Sequence, residues 1–347
     1  MTNNKRIEYI SLASVLSAIA VVYLHANGCF WQFSTSGYWF TANIIESVFY
    51  FAVPIFFMIS GAMLIDFNKR YSLKEFFKKR FVKTVIPFIV WSLIYLLIEI
   101  FYLKTVNMNT LNLTYVINGL INGNLFQIYW FFIPLFCIYL SIPVFSYIPD
   151  EHKKSILIYV TTLSFILNIT IPFIISVFNL HLEYTISMIV GGGYLFYPLV
   201  GYLLHKYEMP KKYRIVLYLL AIIGLLLHIT GTYYLSYEAG EIIKTYKGYT
   251  NLPSVLYSIG IFVFIKYDLI KIMNISIISK IVNFLDFYTF GIYLIHYYFL
   301  GFLIVIFKVN NTSIIYRLLS PIFAIIMSVV VIYLMRKIPI IEKILPS

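Results

Sequence analysis

The segment DFNKRYSLKEFFKKRFVK (66–83) carries seven of the chain's 26 lysine and arginine residues. It lies between two apolar runs, 43–65 and 84–103. Each run is long enough, or nearly so, to cross a hydrocarbon core of about 30 Å as a helix. Because lysine and arginine collect in the cytoplasmic loops of membrane proteins, the segment is predicted to face the cytoplasm. The two runs beside it are then predicted to cross the membrane in opposite directions.

The same argument extends to the whole chain. Ten apolar runs are predicted to span the membrane, and they are 7–27, 43–65, 84–103, 129–148, 155–178, 185–204, 213–236, 251–267, 284–306 and 313–335. With a cytoplasmic N-terminus, 21 of the 26 lysines and arginines lie on the inner side. The outer side keeps only Lys104, Lys244, Lys247, Lys308 and Arg317. We therefore predict an all-α bundle of about ten transmembrane helices with both termini cytoplasmic, as a single membrane domain over residues 1–347 with no fused soluble domain.

The composition agrees with a membrane protein. Hydrophobic residues make up 61% of the chain and charged residues 12%, against about 25% charged residues in soluble domains. A net charge of +12 in a soluble protein would suggest nucleic acid, but here the charge lies in inner loops that face anionic lipid headgroups. We expect membrane lipid and no nucleic acid as partners, in the cytoplasmic membrane of a bacterium. The two cysteines, Cys29 and Cys137, lack metal-ligand spacing, so we expect no metal site.

The basic segment is predicted to form an amphipathic helix on the cytoplasmic surface. Ser72 followed by Glu75 is typical of a capping box, which begins a helix. Phenylalanines alternate with the basic residues that follow, which are Lys74, Lys78, Lys79, Arg80 and Lys83. Two interpretations stay open for this helix: an anchor to lipid headgroups, or a binding site for a cytoplasmic polyanion such as a nucleotide or coenzyme A.

Ionisable residues within the spans are candidates for a functional site, because burying them in hydrocarbon is costly. His25 lies near the outer end of the first span, and Glu46 near the outer start of the second. A short hairpin would bring the two together, and a carboxylate that holds the histidine tautomer is typical of a general base. The alternative is that His25 only bonds to a carbonyl at the interface. His296, nearer the middle of the ninth span, is either functional or a hydrogen-bonding contact between helices.

Three glycines (191–193) fall inside the sixth predicted span. They are expected to loosen the helix or to let another backbone approach closely. Transporters expose carbonyls at a substrate site through broken helices of this kind. The glycines therefore keep a transporter interpretation open.

Five motifs, in order along the chain, resemble those of the acyltransferase-3 family of integral-membrane acetyltransferases. They are AVPIFFMISGAMLI (52–65), FFKKRFVKTVIPFIVW (76–91), YWFFIPLFCIYLSIP (129–143), FYPLVGYLL (196–204) and FLDFYTFGIYLIH (284–296). His25 also falls where the family keeps the histidine of its first span. The resemblance covers most of the chain and implies the family's ten-helix layout.

The chain departs from the family pattern in its first span. The family's histidine usually follows an arginine, with ten residues between them, and an aspartate stands three positions before that arginine. Ser14 and Ser11 occupy these two positions here. Losing both charges together avoids stranding one buried charge. We therefore do not assign the family's arginine role to any residue of this span.

The resemblance implies an O-acyltransferase. It would move an acyl group, expected to be acetyl, from cytoplasmic acyl-coenzyme A to a hydroxyl of a cell-envelope glycan or lipid-linked sugar. No cofactor is expected to stay bound, and acetyl-coenzyme A is expected as the acyl donor. Arg80 and Lys83 match the family's basic pair, with Lys79 as a neighbour, and these residues are predicted to bind the donor. His25, assisted by Glu46, is predicted to deprotonate the acceptor.

Four residues are predicted to line the passage of the acyl group through the bundle. Thr289, Tyr293 and His296 share one helical face, and Trp130 stands in the fourth span. Hydrogen bonds between helices are the alternative for this face. Two other functions also stay open: a transporter or export component for a polysaccharide or small polar solute, and a non-catalytic partner of envelope-synthesis proteins.

Overall fold

The computed structural model describes residues 7–107, 109, 111–181, 183, 186–338 and 344–345. Within these residues the regular elements are all helical, which confirms the predicted all-α membrane fold. The helices are α1 (Glu8–Ala26), α2 (Gly37–Phe49), α3 (Ala52–Leu64), α4 (Leu73–Arg80), α5 (Ile86–Ile98), α6 (Leu113–Asn122), α7 (Phe132–Ser146), α8 (Asp150–Ser164), α9 (Ile171–Val177), α10 (Phe196–Lys206), α11 (Lys211–Ala239), α12 (Leu252–Tyr267), α13 (Ser276–Asp286), α14 (Thr289–Phe307) and α15 (Ile314–Met335).

The chain forms two compact units. The first contains residues 1–63 and 150–332, and the second contains residues 64–149 and 333–347. The prediction treated the whole chain as one domain. Each unit combines two separate stretches of sequence, so neither corresponds to a contiguous segment.

Eight helical runs in the described residues are long and apolar enough to cross a membrane. They are Glu8–Ala26, Gly37–Lys69, Leu73–Leu103, Gln127–Ser146, Asp150–Val177, Lys211–Ala239, Thr289–Phe307 and Ile314–Met335. The sixth and eighth predicted spans differ from these runs. The sixth contains only the 11-residue α10, and the eighth is the 16-residue α12.

Contacts within the first unit agree with the predicted alternation of inner and outer ends. Ser11, near the start of α1, bonds to Asp286, and both were predicted to lie near the inner side. Asn27, after the end of α1, bonds to Arg317, and both were predicted to lie near the outer side. The 19 residues of α1 separate these contacts by most of a helix about 28 Å long. Two further contacts follow the same rule, Tyr9 with His205 at the inner side and Glu46 with Lys247 at the outer side.

The chain before α10 is not α-helical at the three glycines, and a 3₁₀ turn begins only at Gly193. Gly191 and Gly193 have positive φ angles of 79° and 57°, which other residues rarely adopt. The side chain of Asn168 bonds to both the N–H and the carbonyl of Met188, at 2.7 and 2.8 Å. The hydroxyl of Ser164 donates to the carbonyl of Gly191 at 2.7 Å. The predicted loosening of the sixth span is thus present, and side chains of the fifth predicted span bond to the backbone groups that it frees.

Helices α3 and α10 touch through their backbones at two glycines. A β-carbon on Gly61 would lie 1.8 Å from the carbonyl oxygen of Pro198, and one on Gly201 would lie 2.2 Å from that of Met58. Neither position has room for a methyl group. Small residues that let helix backbones approach closely are typical of helix packing in membranes.

In the second unit, the basic segment 66–83 contains the short 3₁₀ turn Phe67–Lys69 and then α4. The first residue of α4 follows Ser72, whose hydroxyl accepts a hydrogen bond from the N–H of Glu75 at 3.3 Å. This confirms the predicted N-cap. A π turn, Phe81–Val85, joins α4 to α5, so the basic helix continues into the third predicted span.

Candidate active site

The two histidines singled out in the predicted spans, His25 and His296, are in direct contact. His25 lies in the last turn of α1, and His296 is the eighth residue of α14. Nδ1 of His25 is 2.6 Å from Nε2 of His296. The two imidazole planes differ by 5°, with centroids 4.9 Å apart. His296 is fully buried, whereas His25 is only partly buried.

The backbone fixes which nitrogen of this pair carries a proton. Nδ1 of His296 is 2.8 Å from the carbonyl oxygen of Ile292. A carbonyl only accepts hydrogen bonds, so this Nδ1 carries the hydrogen. In a neutral ring, Nε2 of His296 then has a lone pair and accepts the N–H of His25 Nδ1. Nε2 of His25 is left with a lone pair, and among the described residues it has no hydrogen-bond partner.

This arrangement has the parts of a general base and its orienting group. His25 offers a free nitrogen that can take a proton from a hydroxyl. His296 holds the ring of His25 in one tautomer and one orientation. When His25 becomes charged, its bond to His296 becomes charge-assisted and therefore stronger. The pair can thus abstract a proton and return it.

Glu46 has a different partner from the one predicted. Its Oε1 accepts a hydrogen bond from the ammonium of Lys247 at 2.8 Å, and both side chains are buried. The ammonium lies 3.7 Å from the ring centroid of Tyr50. Burial lowers the pKa of Lys247, and the carboxylate of Glu46 opposes this shift. The structure therefore pairs His25 with His296 and Glu46 with Lys247, in place of the predicted pair of His25 and Glu46.

The loop that carries Lys247 covers the site from one side. The ring of Tyr249 stacks on that of Tyr50, with centroids 4.2 Å apart and planes 6° apart. The hydroxyl of Tyr197 donates to the carbonyl of Tyr249. Tyr249 packs against the buried cluster that includes Leu24, the residue before His25, and Tyr293 packs against the same cluster. Loop 240–251 therefore packs, through Tyr249, against the same cluster as Tyr293, whose ring lies 6.3 Å from that of His296.

The predicted passage residues separate into three environments. The ring of Tyr293 is 6.3 Å from that of His296, so these two lie together at the pair. The hydroxyl of Thr289 donates to the carbonyl of Asp286 at the start of α14. Trp130 belongs to the second unit, where it stands in the 3₁₀ turn Gln127–Phe131 before α7.

The predicted donor-binding residues differ in their local partners within the second unit. Lys79 forms an ion pair with Glu75 at 2.7 Å and also lies over the ring of Tyr71. The guanidinium of Arg80 lies over Tyr139, 5.6 Å from its ring centroid. Lys83 is exposed in the π turn and makes no ion pair with any described residue. π turns within α-helices are frequent at functional sites.

Ser11, which stands where the resemblance led us to expect a charged residue, makes a neutral contact. Its hydroxyl donates to Oδ2 of Asp286 at 2.8 Å, and the serine is buried. Asp286 lies in the motif 284–296, but the sequence analysis gave it no role. Its only sequence signal was a carboxylate at the start of the ninth predicted span. Ser14 is partly buried on the same helix.

Sequence reasoning also missed Arg317, which is buried at the start of α15. Its guanidinium donates to Thr41 Oγ1 at 2.8 Å and to the carbonyl of Thr312 at 3.1 Å, and lies 3.4 Å from Asn27 Oδ1. No carboxylate of the described residues pairs with it. Arg317 therefore joins α2 and α15 to the chain two residues after His25. Its position inside an apolar run was the available signal.

Comparison with known proteins gives one match. Residues 7–337 match the family described as an acyltransferase domain, the acyltransferase-3 family. The matched range includes both histidines and the basic helix. A search of curated proteins and one of solved structures found no match.

Proposed function

This chain belongs to the acyltransferase-3 family, and we propose that it moves an acetyl group from cytoplasmic acetyl-coenzyme A to a hydroxyl of a cell-envelope glycan or lipid-linked sugar. Family membership supports a membrane acyltransferase. The observation that carries the proposed mechanism is the pair of His25 and His296, which leaves one basic nitrogen free. The predicted cytoplasmic-membrane location supports a donor from inside and an acceptor from outside.

The proposed reaction uses Nε2 of His25 as the base. It takes the proton of the acceptor hydroxyl while the hydroxyl oxygen attacks the thioester carbonyl of the donor. The tetrahedral intermediate then collapses, the carbon–sulfur bond breaks, and the proton passes from His25 to the departing thiolate of coenzyme A. An ester and free coenzyme A result. Proton transfer by a positioned side chain contributes typically about 10²- to 10⁴-fold to the rate.

We assign donor binding to Arg80 and Lys83, with Lys79 as a neighbour. Arginine offers a bidentate fork to a phosphate, and lysine offers a point charge. Lys79 is already paired with Glu75, so Arg80 and Lys83 are the cations with more charge available to a ligand. Glu75 makes Lys79 the weakest of the three.

The acetyl end of the bound donor must reach the histidine pair from the basic helix. His296 is the eighth residue of α14, about 10 Å along the helix from Thr289 at its predicted inner end. Tyr293 lies beside the pair and supports a role in the last part of this passage. Trp130 is proposed to line an earlier part.

Binding of acetyl-coenzyme A to the purified protein, measured by calorimetry, tests the proposal. We expect saturable binding that weakens at least about tenfold in R80Q/K83Q and weakens further as salt rises, because the contacts are ionic. The matched control is K74Q/K78Q, which removes two charges from the same helix and should have a smaller effect. Absence of binding up to millimolar donor would contradict an acetyltransferase.

A transporter is the second candidate, and the break in the sixth predicted span is the observation that favours it. The carbonyls of Met188 and Gly191 are bonded to Asn168 and Ser164, so these two are occupied by protein side chains. This favours the acyltransferase. Solute flux into vesicles that contain the protein, without any acyl donor, would favour the transporter instead.

A further inference from the structure

A polar pocket lies at the predicted outer side of the first unit, against the loop 240–251 that carries Lys247. Its volume is about 390 Å³, within the range of about 300–1,000 Å³ that is typical of ligand sites. One wall comes from residues 168–176 and the other from loop 240–251. The lining includes Asn168, Phe173, Ser176, Lys244, Thr250 and Asn251.

The loop wall of this pocket is already ordered. The amide of Asn251 donates to the carbonyls of Lys244, Thr245 and Lys247 at 2.9, 3.0 and 3.2 Å. The ion pair of Lys247 with Glu46 fixes the inward side of the same loop. A preformed pocket saves the entropy that would otherwise be lost when a ligand orders it.

Several polar atoms of the pocket make no hydrogen bond with any described residue. They are the hydroxyl of Thr250, Oδ1 of Asn251 and the ammonium of Lys244. The set offers both donors and acceptors, and a sugar hydroxyl needs both. The ring of Phe173, held edge-on against Tyr246 at 5.4 Å, adds an apolar surface of the kind that packs on the C–H face of a sugar.

The charged residues of the pocket favour one kind of ligand over another. Lys244 and Lys247 are the two cations of the loop, and Glu46 neutralises only Lys247. Lys244 lies over the half-exposed ring of Trp31, with its ammonium 5.3 Å from the ring centroid. It has no carboxylate partner among the described residues. The open cation of the pocket therefore favours a ligand with a negative charge.

We propose that this pocket binds one sugar residue that carries a carboxylate or a phosphate, as a non-reacting part of the acceptor. The inference rests on the proposed function and adds the location and the charge of the acceptor-binding site. Lys244 pairs with the anionic substituent, and Thr250 and Asn251 bond to hydroxyls. Binding energy from such a remote part of a substrate helps to orient the reacting hydroxyl. The same loop carries Tyr249, which packs against the buried cluster that includes Leu24, so this loop connects the pocket to the helix that carries His25.

Binding of four small probes to the full-length protein in detergent tests the proposal. They are methyl glucuronide, glucose 1-phosphate, methyl glucoside and glycerol 3-phosphate. We expect the two charged sugars to bind at least about ten times more tightly than methyl glucoside. K244Q should remove this difference, and T250A should weaken both charged sugars. K308Q, which removes another predicted outer lysine away from the pocket, is the control.

Three results would overturn this site. They are equal binding of charged and neutral sugars, charged-sugar binding that K244Q leaves unchanged, and glycerol 3-phosphate bound as tightly as glucose 1-phosphate. The last would mean that the pocket binds phosphate, as in a lipid headgroup, without a sugar. Acetyl-coenzyme A binding, measured on the same preparation, distinguishes failure of the pocket proposal from failure of the proposed acyltransferase function. If the donor binds and the sugars do not, the pocket proposal fails alone; if the sugars bind and the donor does not, the acyltransfer proposal fails.

Discussion

Two buried polar pairs of the first unit differ in what they leave available. The pair of His25 and His296 has no formal charge in its neutral form, and one nitrogen of His25 stays open. The pair of Glu46 and Lys247 has two opposite charges, and both side chains are almost fully buried. The first pair offers a base to a substrate. In the second pair the two charges neutralise each other and hold loop 240–251 against α2. The sequence predicted a single site that combined His25 with Glu46. The structure divides these residues between a pair suited to catalysis and a pair that stabilises the fold.

The energetic difference between the pairs follows from burial. Two charges taken out of water stabilise a protein only when each satisfies the other, and removing one partner leaves a costly buried charge. A neutral imidazole pair does not carry the cost of a buried charge. Its contribution is to accept a proton from the substrate. We therefore expect mutations of the first pair to change turnover and mutations of the second to change folding.

The largest expected effect is that of His25→Ala. Removing the base should lower turnover by about 10³-fold, within the range typical of a positioned general base. Initial rates of acetyl transfer, measured with the melting temperature of the same preparation, check this. His205→Ala, which removes another histidine of the first unit, is the control. Turnover near the wild-type rate would remove His25 as the base.

His296→Ala should lower turnover by about 10²-fold, because His25 loses the group that fixes its tautomer. Acetyl-coenzyme A affinity should stay unchanged, so the loss should fall on kcat. Glu46→Gln is the matched comparison, since the sequence predicted Glu46 for the same role. If Glu46→Gln slows turnover more than His296→Ala at equal folded fraction, the carboxylate is the functional partner of His25.

Lys247→Met should destabilise the protein by about 3 kcal/mol or more, because it strands the carboxylate of Glu46 in a buried position. The double variant Glu46→Leu with Lys247→Met should recover most of this loss. Denaturant unfolding of the two variants and of the exposed control Lys308→Met gives the comparison. A double variant as unstable as the single one would mean that the ion pair does more than satisfy its own charges.

The smallest effect is expected at Asp268, a partly exposed carboxylate that bonds to Tyr218 and Lys271. The hydroxyl of Tyr218 and then the ammonium of Lys271 hold the pKa of Asp268 below its ordinary value. The ionised form is thus favoured in the folded state, so the stabilisation is present above pH 4 and is lost as pH falls through the lowered pKa. Asp268→Asn should remove a few tenths of a kcal/mol at pH 7 and progressively less as the pH is lowered to 2. Melting curves at several pH values test this; an equal loss at both pH values would exclude the ionic cause.

The sequence predicted candidate site residues but not their pairing. His25 and His296 stand in predicted spans, and His296 in a family-like motif, yet they are 271 positions apart in the chain. Glu46 and Lys247 are 201 positions apart, and Lys247 lies in a loop where no span pattern applies. Hydrophobic runs place residues at a depth in the membrane but do not give the rotation of a helix or its neighbours. The hairpin argument therefore selected the partner nearest in sequence.

The fold shows the same limit. Charge asymmetry and apolar length predicted an all-α membrane protein, because both follow directly from composition. The sixth predicted span differs, since an apolar run of 20 residues reports hydrophobicity and not helical hydrogen bonding. Gly191 and Gly193 adopt positive φ angles there, and the side chain of Asn168 takes up the freed backbone groups. That compensation comes from another part of the chain and has no local signal.

The backbone contact between α3 and α10 has a consequence for how this sequence can evolve. Gly61 and Gly201 each face a carbonyl oxygen of the opposite helix, so neither can gain even a methyl group without moving a helix. The other positions of both helices are mostly buried or partly buried too, but their side chains can exchange for others of similar volume. Descendants of this protein should therefore vary among side chains of similar volume along both helices while these two positions stay glycine. A lineage that lost one glycine would have to widen the gap and refill it, which takes several substitutions at once.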